Sequence, residues 1–274
     1  KVCDRNTVDL FDLDGLRKLI RDYKPDVIVN AAAYTNVDKA ESDEENAFQV
    51  NSRAVHLLAQ EAKVLDAWLI HYSTDYVFDG EKMSPYTEED KTNPLSVYGK
   101  TKLQGEEAIK KSKCKYLIFR TSWLYGTHGK NFFKTIIKLA KERDELRVVS
   151  NQIGAPTSAE VMADVTSLCL YRIAQNSLSS KEISGIYHLT STGKASWYDF
   201  AKYVIIESKK IGGVFLTNPE NIIAINASEY VLPAKRPVNS LLDTQKLCKT
   251  FNLQLPVWQI HADRVIKELY LREA

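Results

Sequence analysis

The run Ala67-Trp-Leu-Ile-His-Tyr-Ser73 decides the fold class of this chain. It is apolar and aromatic over its length, without the alternation of polar and apolar residues that marks a half-buried strand. Two similar runs stand on either side of it in the sequence, at Asp26-Val-Ile-Val-Asn30 and Lys115-Tyr-Leu-Ile-Phe-Arg120. Uninterrupted strands of this kind are typical of a parallel sheet that is covered on both faces. The sequence therefore predicts an α/β protein.

The segments between and around these strands carry helical patterns. Amphipathic stretches occur at about 14–24, 43–65 and 98–112. Each is long enough to be the crossover helix that joins two parallel strands. The alternation therefore predicts a doubly wound parallel sheet. The further elements that we expect are strands at 144–150 and 185–190 and helices at about 158–176, 196–211 and 258–272.

The order of these elements predicts two domains. With 274 residues and about 150 residues per domain, the chain has room for both. We expect residues 1–125 to form a dinucleotide-binding domain, to which 144–176 would return. Residues 126–143 and 177–274 would form a smaller C-terminal substrate-binding lobe.

Composition excludes several classes of function. Lys and Arg total 37 against 35 Asp and Glu, so a formal charge of +2 gives no electrostatic case for nucleic acid or a membrane surface. The apolar runs are far shorter than a membrane span and the start has no signal-peptide pattern, which predicts a cytoplasmic protein. The four cysteines and five histidines show no metal-ligand spacing, so we expect reduced thiols and no metal site in this pattern.

Tyr98 and Lys102 are the first candidate catalytic pair. They stand four residues apart in Ser96-Val-Tyr-Gly-Lys-Thr-Lys102, so on a helix they share one face. An ammonium beside a phenol favours the phenolate and would lower the pKa of Tyr98 from its usual value of about 10. Thr74, at the end of a predicted strand, would add a hydroxyl. The three groups together predict a site that polarises and protonates a carbonyl.

Polar and small residues follow three of the predicted strands. The stretches are Asn30-Ala-Ala-Ala33, Ser73-Thr-Asp75 and Thr121-Ser-Trp123. In doubly wound sheets, ligands bind at the carboxyl ends of the strands. Small residues there let a flat ring or a phosphate approach the backbone, although alanines also serve tight packing between strand and helix.

These residues give the chain a family resemblance, which covers most of its length. The matching stretches are Pro25-Asp-Val-Ile-Val-Asn-Ala-Ala-Ala33, Val37-Asp-Lys-Ala-Glu41, His71-Tyr-Ser-Thr-Asp-Tyr-Val-Phe78, Val97-Tyr-Gly-Lys-Thr-Lys-Leu103, Phe119-Arg-Thr-Ser-Trp123, Gly154-Ala-Pro-Thr157 and Gly185-Ile-Tyr-His-Leu189. The chain resembles the extended short-chain dehydrogenase/reductases, which have a Rossmann-like sheet. The resemblance implies an oxidoreductase of nucleotide-sugar metabolism, in dTDP-rhamnose and polysaccharide biosynthesis. Its reaction would reduce the C4 keto group of dTDP-4-dehydro-L-rhamnose to dTDP-L-rhamnose with NADPH or NADH.

The resemblance also implies roles for individual residues. The catalytic trio would be Thr74, Tyr98 and Lys102, with Tyr98 as the general acid. The implied cofactor contacts are Asp9, Leu10, Ala31, Ala32, Ala33, Tyr34, Thr35, Ser73, Tyr98 and Lys102. The implied substrate contacts are Thr74, Asp75 and Trp123, together with Asn131 and Arg236, each of which suits a helix cap or a surface charge equally well.

One departure from the family pattern concerns the N-terminus. The family begins with a strand and a Gly-rich turn that binds the pyrophosphate, but Gly15 is the first glycine here and lies in a helical pattern. The family's register places Lys1 about thirty residues into the fold. We therefore expect an N-terminally incomplete sequence of a complete enzyme, one that would bind the cofactor poorly as given. Some family members use Mg²⁺ at a subunit contact, so a homodimer and Mg²⁺ are further expectations.

Two other functions remain open at this point. A related nucleotide-sugar epimerase or dehydratase would use the same trio, but in the dehydratases an acidic residue follows the Thr-Asp pair, whereas Tyr76 follows it here. The regulatory β subunit of methionine adenosyltransferase resembles the same reductases and acts as a binding partner. Its strand end carries Ser-Ser-Asp where this chain has Ser73-Thr-Asp75, which favours the enzyme.

Overall fold

The computed structural model describes residues 1–175 and 180–273, and its elements follow the predicted alternation of strands and helices. The helices are α1 (Leu13–Tyr23), α2 (Val37–Ala40), α3 (Glu44–Phe48), α4 (Ala54–Val64), α5 (Val97–Ser112), α6 (Phe132–Glu142), α7 (Ala159–Ala174), α8 (Ser180–Ile183), α9 (Trp197–Lys210), α10 (Gln245–Phe251) and α11 (Trp258–Glu273). The strands are β1 (Val27–Asn30), β2 (Trp68–Thr74), β3 (Lys115–Thr121), β4 (Leu124–Tyr125), β5 (Leu146–Val149), β6 (Ile153–Gly154), β7 (Thr157–Ser158), β8 (Gly185–His188), β9 (Ala195–Ser196) and β10 (Ile222–Ile225). Short 3₁₀ turns cover Asp75–Val77, Pro219–Asn221 and Ala227–Glu229.

The main sheet has the strand order β1-β2-β3-β8, and every pairing in it is parallel. This confirms the predicted α/β class. Asn30 of β1 is in register with His71 of β2, and Thr74 at the end of β2 is in register with Thr121. The carboxyl ends of β1, β2 and β3 therefore meet at one edge of the sheet, as the sequence predicted.

The side chains of successive residues in β2 and β3 pack on opposite faces of this sheet. Leu69 and Ile118 pack with residues of α1, α4 and α5. Ile70 and Phe119 pack on the other face with residues of α7 and α10. All four side chains are completely buried, and each contributes about 1.5–3 kcal/mol of transfer free energy. Burial on both faces explains why these strands lack a polar alternation.

The C-terminal lobe contains a second, smaller parallel pair, β5 with β10. Its apolar residues pack against α6 and α9. The pairings differ from the predicted domain division at two places: β8 joins the main sheet beside β3, and β5 pairs within the lobe. Local sequence patterns do not show which distant strands pair. The division into two domains therefore remains a prediction, with β8 moved to the main sheet and β5 moved to the C-terminal lobe.

The predicted helix at 43–65 is interrupted. A π-helical turn at Gln49–Arg53 separates α3 from α4. Asn51 lies in this turn and is almost completely buried. Single π turns inside helices occur frequently at functional sites.

The cysteines and the helix lengths bear on the expectations from composition. Cys3, Cys114, Cys169 and Cys248 are all free thiols. Within residues 1–175 and 180–273, the helices are all too short or too polar to cross a bilayer.

Candidate active site

The start of α5 positions the predicted catalytic pair. Ser96 caps this helix, its side-chain oxygen accepting a hydrogen bond from the Gly99 N–H at 3.1 Å. Serine is among the preferred residues at this position because it satisfies an N–H group that the helix leaves unpaired. Tyr98 and Lys102 then follow in the first turns of the helix, on one face. This face packs against β2, which brings Thr74 to the same place.

Thr74 connects Tyr98 to Asp75. Its hydroxyl contacts the phenol of Tyr98 and donates to Asp75 Oδ1 at 3.1 Å. The Tyr76 N–H in turn donates to the Thr74 hydroxyl oxygen at 3.2 Å. The phenol and the hydroxyl therefore point to one spot at the carboxyl end of β2, the geometry that two donors to one carbonyl oxygen require.

The pKa of Tyr98 shifts in the opposite direction to the one predicted from the sequence. Burial raises the pKa of Tyr98 to about 12, and the nearby carboxylate of Asp75 adds to this rise. The predicted lowering by Lys102 is absent, because the amine of Lys102 makes its hydrogen bonds elsewhere. A phenol with this pKa stays protonated at neutral pH, which suits a proton donor.

Lys102 is buried, with its side-chain amine directed toward β2. The amine nitrogen Nζ donates to the Tyr72 backbone oxygen at 2.5 Å and lies 3.3 Å from Nε2 of His71. Burial lowers the pKa of Lys102 to about 8, and the carboxylate of Glu106 opposes this shift. The sequence pattern predicted a role for Lys102, but it did not indicate that His71 and Tyr72 would be its hydrogen-bond partners.

Asp75 carries a buried carboxylate beside this pair. Burial raises the pKa of Asp75 to about 6. Its Oδ2 atom has no hydrogen bond of good geometry within the described part of the chain, although the Ser240 hydroxyl is nearby. A buried oxygen without a donor is costly, and a hydroxyl group on a ligand would satisfy it. This favours the predicted substrate contact.

Trp123 joins the main sheet to the C-terminal lobe. Its indole stacks on Trp197 at the start of α9, with ring centroids 3.5 Å apart and planes 8° apart. The backbone of Trp123 has φ +50°, in the left-handed region that a bulky residue rarely adopts. Gly154 packs directly against the indole, where a side chain would overlap it. Strained residues of this kind cluster at ligand sites, consistent with the predicted contact.

Asn131 and Arg236 have structural partners. Asn131 caps α6, accepting from the Lys134 N–H at 3.0 Å and donating to the Gly126 oxygen at 2.8 Å. Arg236 makes two hydrogen bonds to the carboxylate of Asp38, at 2.7 and 3.0 Å. A substrate contact by either residue remains a prediction.

A cavity of about 1080 Å³ lies next to the open edge of β1. The predicted cofactor residues that line it are Asp9, Leu10, Ala31, Ala32, Ala33 and Tyr34. The predicted contacts that do not line it are Thr35, Ser73, Tyr98 and Lys102. Ser73 instead donates to the carboxylate of Glu106 at 2.5 Å within the core. Much of the rest of the cavity's lining consists of apolar side chains of α1 and β1.

Asn51 is a residue that the sequence reasoning missed. Its side-chain oxygen accepts from the Tyr34 N–H at 2.9 Å, and its amide nitrogen donates to the Tyr34 oxygen and to the Thr101 hydroxyl. It thus ties the turn after β1 to α5, the helix of the predicted catalytic pair. In the sequence Asn51 was one polar residue in a helical pattern, without any signal of this role.

Gly99, in the first turn of α5, provides a test of how closely this helix packs against the turn that follows β2. An added methyl group would overlap with the backbone oxygen of Tyr76, which is held in a 3₁₀ turn. We therefore expect Gly99→Ala to destabilise the protein by about 1–3 kcal/mol and to lower kcat/KM, because α5 must shift with Tyr98. Urea unfolding and steady-state kinetics measure both effects. Alanine ordinarily stabilises a helix relative to glycine, so an increase in stability would contradict the close contact.

No group of three or more His, Cys, Asp or Glu residues within the described ranges is arranged to hold a metal ion. The Mg²⁺ that the resemblance implied, at a subunit contact, remains a prediction.

Comparison with known proteins gives one family over nearly the whole chain. The family model described as "RmlD substrate binding domain" matches residues 1–271. The dTDP-4-dehydrorhamnose reductase of Escherichia coli (strain K12) is 46% identical over 266 residues, which cover 97% of this chain and 87% of that protein. The protein of the same name from Burkholderia thailandensis is 42% identical over 97% of this chain and 89% of its own length.

Solved structures agree with this result. A dTDP-4-dehydrorhamnose reductase from Clostridium acetobutylicum superposes with a TM-score of 0.87 and 36% identity, covering 98% of this chain and 89% of that one. The structure of the same enzyme from Bacillus anthracis, in complex with NADP, gives a TM-score of 0.86 and 32% identity. It covers 97% of this chain and 89% of that chain.

Proposed function

Because this chain belongs to the RmlD family of dTDP-4-dehydrorhamnose reductases, we propose that it reduces the C4 keto group of dTDP-4-dehydro-L-rhamnose to dTDP-L-rhamnose. The family membership bears out the resemblance found in the sequence. The reductant that we propose is NADPH or NADH, and NADPH is the first choice because the Bacillus anthracis relative was solved with NADP.

The observation that carries this proposal is the contact between Thr74 and Tyr98. Two hydroxyl groups meet at the carboxyl end of β2, on the helix face that also carries a buried lysine. A ketone reductase needs a proton donor and a second hydrogen-bond donor at the carbonyl oxygen, and these two groups supply both.

The chain's own residues have distinct tasks in the reaction. Tyr98 gives its proton to the C4 oxygen, because its raised pKa keeps the phenol protonated until the oxygen gains charge. Thr74 turns its hydroxyl toward the same oxygen and stabilises the developing negative charge. Lys102 would contact the cofactor, as the family resemblance implies, from the position one helical turn beyond Tyr98 on the same face of α5. Asp75 accepts a hydroxyl group of the sugar through its unpaired Oδ2.

The nicotinamide cofactor, when bound, supplies the hydride. The residues that would hold it line the cavity beside β1, and the small side chains of Ala31, Ala32 and Ala33 leave the backbone there open to a flat ring. Asp9 and Leu10 would lie toward the adenine end. The choice between NADPH and NADH, a requirement for Mg²⁺, a homodimer and a cytoplasmic location remain predictions.

The test is the purified full-length protein with NADPH and dTDP-4-dehydro-L-rhamnose. We expect loss of NADPH absorbance only when the keto-sugar nucleotide is present, with dTDP-L-rhamnose identified as the product by NMR. A sugar product that differs at another ring carbon would instead indicate an epimerase or a dehydratase. Stoichiometric capture of a methionine adenosyltransferase without turnover would indicate a regulatory subunit.

A further inference from the structure

Two residues enclose the indole of Trp123 from its two faces. We propose that Trp197 and Gly154 are positioning residues that form a clamp on this ring, so that Trp123 meets the sugar of the substrate only through its edge. The consequence for the sugar rests on the proposed reduction. The clamp itself is measurable in the protein without substrate.

One face of the Trp123 ring is covered by Trp197. The two indoles have centroids 3.5 Å apart and planes 8° apart, which is the contact distance of carbon atoms, so the rings overlap with little offset. Trp197 is the first residue of α9 and follows Ser196, which forms a capping box with Asp199. The ring of Phe132 packs against Trp197, with centroids 4.4 Å apart. The stacked indole is therefore held in place on its own side.

The opposite face of the Trp123 ring is covered by the backbone of Gly154. A Cβ atom at Gly154 would lie 2.5 Å from Cε2 of Trp123, and 2.8 and 2.9 Å from Nε1 and Cδ2, the two atoms of the five-membered ring that are bonded to Cε2. Nearly equal distances to atoms on both sides of Cε2 place this position above the ring plane rather than at its edge. It cannot lie on the side of Trp197, because two rings 3.5 Å apart leave no room for an atom between them.

A short antiparallel strand pair connects the two sides of the clamp. Gly154 in β6 is in register with Ala195 in β9, two residues before Trp197. The backbone of Trp123 is tied to the same region, because its carbonyl oxygen accepts from the Thr157 N–H at 3.2 Å. Backbone hydrogen bonds therefore position the ring and both of its walls relative to one another.

The edge of the indole is what the clamp leaves accessible. Nε1 of Trp123 is not a buried atom, and it has no hydrogen-bond partner among the residues that the structure describes. An indole nitrogen can only donate. Trp123 follows Thr121 by two residues, and Thr121 is in register with Thr74 of the proposed catalytic trio. A fixed N–H donor at this place suits an oxygen of the reacting sugar, whereas stacking of a sugar on the ring face is blocked.

Two substitutions open the clamp from opposite sides. Trp197→Leu removes the stacked ring, and Gly154→Ala places a methyl group against the indole. Gly154 does not have a positive φ, so alanine acts there only through its methyl group. We expect each variant to raise KM for the keto-sugar nucleotide by about tenfold, the effect of one lost hydrogen bond, with KM for NADPH unchanged. Trp197→Phe keeps an aromatic wall and should recover most of the loss.

A merely structural role would give a different kinetic result. A smaller folded fraction lowers the apparent kcat and leaves both KM values unchanged. Trp258→Phe and Gly185→Ala are the matched controls. Trp258 is buried in the same lobe but packs on Phe200 and Tyr203. At Gly185 an added Cβ would meet its nearest neighbour at 3.7 Å, an ordinary contact. Both controls should keep the wild-type KM for the keto-sugar nucleotide.

NMR of the indole N–H groups measures the clamp without substrate. The chain has four tryptophans, and the indole N–H signal that is missing in Trp123→Phe belongs to Trp123. Because the Trp123 ring lies over the face of Trp197, the ring current should shift this proton signal upfield. The shift should be lost in Trp197→Leu and kept in Trp258→Phe. An unshifted Trp123 signal in the wild-type protein would overturn the clamp.

Titration of the full-length protein with dTDP-L-rhamnose and with dTDP tests the contact with the sugar. We expect the Trp123 N–H signal to move with dTDP-L-rhamnose and not with dTDP, and Trp197→Leu to weaken only the binding of dTDP-L-rhamnose. An equal response to dTDP, or a wild-type KM in Trp197→Leu, would overturn the inference. A protein that shows the ring-current shift but neither binds nor reduces the dTDP-sugar would overturn the proposed function and leave the clamp standing.

Discussion

Tyr98→Phe is expected to lower kcat by about 1,000-fold, within the range that general-acid catalysis contributes. The substitution keeps the aromatic ring and removes the proton that the C4 oxygen must receive. The rest of the site stays in place, because Thr74, which the phenol contacts, retains its hydrogen bond to Asp75. We therefore expect KM for the keto-sugar nucleotide to change far less than kcat.

Steady-state kinetics with NADPH measure this effect, and Tyr187→Phe is the matched control. Burial raises the pKa of Tyr187 to about 12 as well, but its hydroxyl donates to the Ile183 oxygen in the core, at 2.8 Å. Tyr187→Phe should cost about 1 kcal/mol of stability and leave kcat unchanged. A Tyr98→Phe variant with wild-type kcat would show that the proton comes from another donor.

The largest effect on stability is expected at the buried ion pair between β3 and α5. Arg120 and Glu106 have side chains that are 3% and 1% exposed, and Arg120 also lies over the ring of Phe78. Ser73 adds a hydrogen bond to the same carboxylate. Arg120→Leu leaves this carboxylate buried without its counter-charge. We expect the free energy of unfolding to fall by about 3–5 kcal/mol.

Urea unfolding measures this loss, and two variants make the result specific. Arg120→Leu combined with Glu106→Leu removes both charges, so it should be less destabilised than Arg120→Leu alone. Lys210→Ala breaks an exposed pair with Glu207 and should change stability by less than about 1 kcal/mol. Equal losses in the buried and the exposed variants would mean that burial of this pair has no energetic consequence.

This pair also bears on the site. Arg120 precedes Thr121 at the carboxyl end of β3, and Glu106 lies one turn beyond Lys102 on α5. Breaking the pair removes one of the connections between α5 and the sheet. We therefore expect the Arg120→Leu variant that remains folded to show reduced kcat as well.

Elements with a strong local pattern were predictable from the sequence. The strands β1, β2 and β3 follow from uninterrupted apolar runs. In β2 and β3 the reason is that a strand covered on both faces needs an apolar residue at nearly every position. The helix α5 and the common face of Tyr98 and Lys102 follow from a spacing of four residues. Thr74 was placed correctly at the edge of the sheet because the strand that precedes it has a clear end.

The sequence alone thus determined the fold class and the common face of Tyr98 and Lys102, because each depends on neighbours within one turn or one strand. The family followed from a resemblance to matching stretches along most of the chain. Tertiary structure decided the pairing of β8 with β3 and of β5 with β10, the π turn at Asn51, and the contact of His71 with Lys102. It also reversed the expected pKa shift of Tyr98. The physical reason is that burial and hydrogen-bond partners come from segments distant in the chain, and a linear pattern carries no record of which of them meet.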